Sequence, residues 1–162
     1  MSTAQPLTVT VERFIAAPPT VIYDLISDVT RMGDWSPECI RASWLDGATA
    51  AAEGVRFKGD NKLGFATWST KPTITKAQRG EVFEFKVPKD YGPLWRYEFT
   101  AEGTGTRVVE AMHQQKPTNG FIRFLQRRNG VHDRAAHLAD GMRMTLDRVA
   151  AAATHTSLSP SA

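Results

Sequence analysis

Apolar and polar residues alternate along this chain in two rhythms, and the switches between them divide it into elements. Leu7, Val9 and Val11, with Phe14 beyond, are interleaved with Thr8, Thr10, Glu12 and Arg13. That period of two predicts a half-buried strand over 7–16. Ala17-Pro18-Pro19 stops it, because proline cannot continue a ladder but is well placed in the first turn of a helix. Val21, Ile22, Leu25 and Ile26 then recur at helical spacing over 20–27. Asp28-Val29-Thr30 breaks that helix, with Thr30 as the expected cap of one further turn through Met32. Asp34-Trp35-Ser36-Pro37 ends the region, since a residue before proline is pushed out of helical geometry.

The period of two returns in the middle of the chain. Strands are expected over 40–45, 55–59, 65–77, 82–87, 94–101 and 106–115. Asp46-Gly47, Asp60-Asn61-Lys62-Leu63-Gly64, Arg79-Gly80 and Glu102-Gly103-Thr104-Gly105 supply the turns. Pro72 places a bend or bulge in the longest of these strands. Trp95, Tyr97 and Phe99 share one strand face. Strands this short, joined by turns this tight, pair antiparallel, because parallel pairing needs helical crossovers.

The helical rhythm closes the chain. Val131, Ala135, Leu138, Met142, Leu146 and Val149 form one apolar stripe within a helix expected over 120–153. Thr118 or Asn119 is its expected cap, and Asn129-Gly130 predicts a kink or a break into two pieces. Together these elements give an α+β fold, a curved antiparallel sheet of about seven strands wrapped around a long C-terminal helix. One domain is expected over 7–153, with unstructured ends at 1–6 and 154–162.

Composition narrows the function only a little. Twenty Lys and Arg against seventeen Asp and Glu leave +3, a scattered excess that gives no reason to expect a nucleic-acid partner. Cys39 is the single cysteine, so no intrachain disulfide is possible, and it reads as a small apolar residue of the interior. Met1 to Pro6 has neither a basic start nor an apolar run, and no stretch is apolar enough to span a membrane. A cytoplasmic protein, monomer or homodimer, without metal or cofactor, is the expectation.

The residues Ala16-Ala17-Pro18-Pro19-Thr20-Val21-Ile22-Tyr23-Asp24-Leu25-Ile26-Ser27-Asp28 and Trp35-Ser36-Pro37 carry a resemblance. So do Gly54-Val55-Arg56-Phe57-Lys58-Gly59, Trp68, Trp95 and Gly105-Thr106. Over about 7–152 the chain resembles the helix-grip fold of the START-like (SRPBCC) superfamily, in its uncharacterised bacterial polyketide cyclase/dehydrase-like branch. The resemblance implies an internal cavity between sheet and closing helix that takes a hydrophobic small molecule: a lipid, a polyketide or an isoprenoid-like compound. Its expected liners are Phe57, Phe83, Phe85, Trp95, Tyr97, Phe99, Leu138 and Met142. A cyclase, aromatase or dehydratase acting in the same cavity is the alternative, and a partner-binding module the third.

Several polar residues are candidates for chemistry. Tyr97, His113 and Glu110 can supply a polar end to the cavity or a general base. Alternation places Glu110 and Gln114 on the strand face opposite His113, and exposed strand positions are the plain alternative. Arg96 alternates with the aromatic face and so is expected in solvent. Asp133 and His137, four apart on a helix, can form an orienting pair, whereas His132 and His137 lack the spacing of paired zinc ligands. Asp60-Asn61 reads as turn chemistry, and Gly103-Thr104-Gly105-Thr106 joins strands rather than opening a helix, which argues against a phosphate cradle. Arg123, Arg127 and Arg128 with Phe121, Phe124 and Leu125 make a basic-aromatic patch suited to transient membrane contact or to a solvated helix face.

Overall fold

The first and last strands of the chain lie side by side. β1, Leu7–Ile15, pairs antiparallel with β8, Gly105–Gln114, from Leu7 opposite Gln114 to Ile15 opposite Thr106. This computed structural model describes residues 6–116 and 120–158. β5 (Thr73–Gln78), β6 (Val82–Lys86) and β7 (Leu94–Glu102) complete a five-stranded antiparallel sheet in the order β1-β8-β7-β6-β5. β2 (Cys39–Trp44), β3 (Phe57–Leu63) and β4 (Ala66–Thr70) form a second sheet of three.

Among the described residues eight strands therefore replace the seven or so expected, and Pro72 is the reason. The segment read as one bent strand over 65–77 is two strands, β4 pairing with β3 and β5 with β6. Pro72 offers no N–H, but its carbonyl accepts from the Phe57 N–H at 3.2 Å, and the Ile74 N–H donates to Val55 O at 2.8 Å. These bonds tie the two sheets into one curved surface. Asp60 and Asn61, expected in a turn, lie inside β3 instead, and the chain reverses at Gly64-Phe65, where Gly64 has φ +58°. Asp60 is tolerated in a strand because Ser69 donates to it at 2.6 Å and Arg41 at 2.9 Å, with Lys58 Nζ 3.3 Å away. Those bonds hold its carboxyl down at a pKa of about 2, the Ser69 bond most of all.

Helices flank the sheets. α1, Pro19–Ser27, starts behind Pro18, as the proline pair predicts. A 3-10 turn over Val29–Arg31 and α2, Met32–Trp35, follow it. The cap of that turn is Asp28 rather than Thr30: Asp28 Oδ1 accepts from the Thr30 N–H at 3.1 Å and its hydroxyl at 2.6 Å. The longer reach of a carboxylate makes it the better partner for an amide two residues on.

The closing helix is broken where Asn129-Gly130 predicts, into α3, Gly120–Arg128, and α4, Arg134–Leu158. Gly130 has φ +84°, a backbone region that side chains disfavour. Leu138, Met142, Leu146 and Val149 are all buried on α4, which packs against β1, α1 and α2. Each is worth about 1.5–3 kcal/mol of burial, so this face anchors the helix. Val131 is buried too, although it lies in the link and not in a helix. α4 also runs past Ala153 to Leu158, over residues expected to be a frayed tail. The remaining expected ends, 1–5 and 159–162, and the cap candidates Thr118 and Asn119 lie outside the described residues.

Asn129 fastens the break. Its Oδ1 accepts from the Phe65 N–H at 3.0 Å, and its Nδ2 donates to Leu125 O at 2.8 Å, so the C-terminal end of α3 is pinned to the β3–β4 turn. A Cβ on Gly64 would stand 2.1 Å from Asn129 Oδ1, which explains glycine there. Asn129→Ala is expected to cost about 1 kcal/mol globally while hydrogen exchange at the Phe65 amide accelerates severalfold. Unchanged exchange at Phe65, followed by mass spectrometry, would show that this bond does not hold the turn.

Candidate functional site

The inner face of the five-stranded sheet is aromatic because β6 and β7 place their rings in register. Phe83 lies opposite Tyr97 and Phe85 opposite Trp95. Phe83 meets Tyr23, Phe85 and Tyr97 with ring centroids 6.3, 5.7 and 6.3 Å apart, and Phe57 meets Phe85 at 5.2 Å. Tyr23 in turn meets Phe99 at 5.6 Å. Phe57, Phe83, Phe85, Tyr97, Phe99, Leu138 and Met142 are buried in one cluster, with Trp95 half-buried against it. The expected liners are thus brought together in one buried cluster, with their rings in mutual contact. This packing, edge-to-face at Tyr23 and Phe57 and stacked between Phe83 and Tyr97, adds to simple burial. Two surface concavities lie elsewhere: about 410 Å³ between β1 and α4 beside Arg13 and Asp147, and about 240 Å³ along α3.

Inside this apolar cluster stands one carboxyl group. β8 sends Thr106, Val108, Glu110 and Met112 inward, all of them buried. Glu110 is 2% exposed and lies directly across from Tyr97, whose hydroxyl donates to Glu110 Oε1 at 2.8 Å. The other oxygen, Oε2, is buried without a hydrogen-bond partner among the described residues. Burial pushes the Glu110 carboxyl up to about 8, and the Tyr97 bond only partly offsets that. Tyr97 is itself driven well above the usual phenol range, by burial first and then by Glu110. Near neutral pH the protonated carboxyl is therefore the favoured form. With Tyr97 donating to Oε1, the carboxyl proton belongs on Oε2, where it forms a donor with no acceptor among the described residues.

The other candidates stand apart from this pair. His113 is exposed on the opposite face of β8, where its Nδ1 meets the Thr8 hydroxyl at 2.8 Å. Alternation separated it from Glu110 as the sequence predicts. Gln114 is half-buried and donates to Tyr91 O at 2.7 Å. Arg96 is on the outer face, yet not free in solvent: it donates to Glu84 at 2.7 Å and Glu98 at 2.6 Å, and Glu84 also accepts from Thr75 at 2.8 Å. Asp133 does not orient His137. Its Oδ1 caps α4 through the Ala136 N–H at 3.1 Å, while Glu38 draws Arg134 to 3.3 Å and the His137 ring to 3.9 Å. Cys39 is buried beside the cluster, and burial holds its thiol up at about 11, so it stays an unreactive thiol. Among the described residues no group of histidine, cysteine and carboxylate side chains is placed to hold a metal ion.

A family described as polyketide cyclase/dehydrase and lipid transport matches residues 6–154. The chain belongs to that family. It shares the SRPBCC architecture with proteins of very different sequence. Ginseng major latex-like protein 151 from Panax ginseng is 12% identical, with a TM-score of 0.70 over 93% of this chain and 99% of its own. The di-domain ARO/CYC StfQ of the steffimycin biosynthetic pathway is 13% identical at a TM-score of 0.74, over 94% of this chain and 52% of its own. A structure from Thermus thermophilus, TTHA0849, is 22% identical at 0.63, over 90% and 99%. No curated protein matches the sequence. Identities this low establish the helix-grip fold, and the family membership supports a ligand-binding or cyclase role. No helix among the described residues is long and apolar enough to cross a membrane.

Proposed function

We propose that this protein binds a hydrophobic small molecule (a lipid, a polyketide or an isoprenoid-like compound) between the sheet and α4, with Glu110 and Tyr97 fixing its orientation. The observation that carries this reading is the unpartnered Oε2 of Glu110, deep in an aromatic interior. A purely structural core gains nothing from a carboxyl group there, because burying a polar group without a partner costs roughly 1–3 kcal/mol. A ligand with a neutral oxygen acceptor, such as a ketone or ester carbonyl, would satisfy the donor and recover that cost. Because the liners are buried, a ligand needs an opening to reach them, and we place it at the α3–α4 break, where release of the Asn129 bonds to Phe65 and Leu125 would free the end of α3.

The second reading is a cyclase, aromatase or dehydratase in the same place, favoured by the Glu110 carboxyl at about 8. A carboxyl poised near neutrality can give its proton to a ligand oxygen and take one back within one cycle. The phenol of Tyr97 would hold it in line.

The test of binding is native mass spectrometry of gently purified protein together with displacement of a fluorescent lipid. Glu110→Leu removes the donor and is expected to weaken a carbonyl-bearing ligand about tenfold, the worth of one hydrogen bond. A protein that neither carries nor displaces any ligand, or a leucine variant that binds as the parent does, would sink the proposal.

A further inference from the structure

α3 carries a second surface that the buried pair does not use. None of its residues is buried, and Ile122, Leu125 and Gln126 lie on its half-covered side. The opposite arc is made of Gly120, Phe121, Arg123, Phe124, Arg127 and Arg128, all exposed. Phe121 is 68% exposed and Phe124 54%, although they have the spacing of an apolar stripe. Among the described residues neither Arg123 nor Arg127 has an acidic partner, and Arg128 lies over the Phe124 ring at 5.9 Å. From Lys116 to His132 the sequence holds no Asp or Glu. Phe65, fully exposed at the tip of the β3–β4 turn, is held against the end of α3 by the Asn129 bond.

We infer that this end of the molecule docks on an anionic lipid surface. Exposed phenylalanines interleaved with arginines that have no acidic partner match a bilayer interface, where rings enter the acyl boundary and guanidinium groups stay with the phosphates. The charge decides against the other occupants. A second copy of the chain would bring arginines against arginines. An acidic protein would satisfy the guanidinium groups but give three phenyl rings no apolar depth. The contact is peripheral, since the chain has no candidate membrane-spanning helix among the described residues. It also lies at the helix break through which the interior would open, so a ligand drawn from a bilayer would arrive at this end.

The experiment is flotation of the full chain with vesicles of phosphatidylglycerol and phosphatidylcholine, against vesicles of phosphatidylcholine alone. Binding is expected only with the anionic lipid and should fall as salt rises. Arg123→Gln with Arg127→Gln is expected to weaken it roughly 30-fold, and Phe121→Ser with Phe124→Ser to abolish flotation. Thermal melts should be unchanged, because none of these side chains is buried. Lys71→Gln with Lys76→Gln, on exposed positions elsewhere, should float as the parent does. Equal binding to both vesicle types, no loss in the α3 variants, or equal loss in the lysine control would overturn the proposal. So would retention on immobilised polyglutamate without flotation, which would assign the face to an acidic protein. None of these readouts depends on Glu110, so failure here leaves the reading of the interior standing.

Discussion

Glu110→Gln is expected to make the protein substantially more stable at pH 8.5 while keeping a hydrogen-bond donor where Oε2 now stands. In the unfolded chain the carboxyl titrates at its ordinary value of 4.5, and in the folded protein at about 8. Between those values the unfolded state releases a proton that the folded state must retain. Stability therefore falls by about 1.4 kcal/mol for each pH unit across that window and levels off above it. The accumulated loss is roughly 4–5 kcal/mol, a large share of the 5–15 kcal/mol that holds a typical domain together. Glutamine does not titrate, so its variant should lack this slope. Urea unfolding at pH 5.5 and 8.5 should show the two proteins within about 1–2 kcal/mol at the lower pH and well apart at the higher. Parallel pH dependences would mean that Glu110 is ionised in the folded state or reached by water. The same variant separates the two functional readings, because an amide N–H can hold a carbonyl ligand but cannot transfer a proton. Retained ligand with lost turnover on a polyketide-like substrate would mark an enzyme.

The second large effect is expected at Phe83. It is fully buried and shares ring contacts with Tyr23, Phe85 and Tyr97. Truncation to alanine forfeits the transfer free energy of the ring, leaves a void and removes three aromatic pairings. A cost of about 4–5 kcal/mol is expected, near the top of the range for such changes. Phe83→Leu keeps most of the volume and should cost about 1–2 kcal/mol, so the series stays measurable even if the alanine variant is largely unfolded. Ile40→Ala, on a side chain 56% exposed, is the reference and should shift stability by no more than about 0.5 kcal/mol. If Phe83→Ala cost no more than that reference, the rings would be lining slack space rather than packing one another.

The order of helices and strands was legible because each rests on local rules. Pro18-Pro19 opened α1, the period of three and four marked α4, and Asn129-Gly130 broke the closing helix. Pro72 was legible as a disturbance, but not as the boundary between two sheets, since that depends on which strand each half meets. Asp60 and Asn61 misled because their turn chemistry was outweighed by partners on β2 and β4, distant in sequence. The relative facing of Glu110 and His113 followed from alternation. Which face is buried did not, and it turned on the rings that β6, β7 and α1 bring together. A cavity was expected from the way a curved sheet wraps one helix and from the fold resemblance. How closely rings from α1, β3, β6 and β7 pack on one another is a matter of tertiary geometry, beyond any local pattern.

The pairing of β1 with β8 also sets a clock on biosynthesis. Thr8 and His113, which bond across that ladder, are 105 positions apart in the chain. β1 therefore waits, unpaired, until the 105 positions between Thr8 and His113 have been translated, and its helical cover on α4 arrives later still. Such long-range closure is slow and leaves strand edges bare in the meantime. During that interval Thr8, Thr10 and Glu12 keep one side of the waiting strand polar, so a nascent chain carries its own protection against sticking to its neighbours.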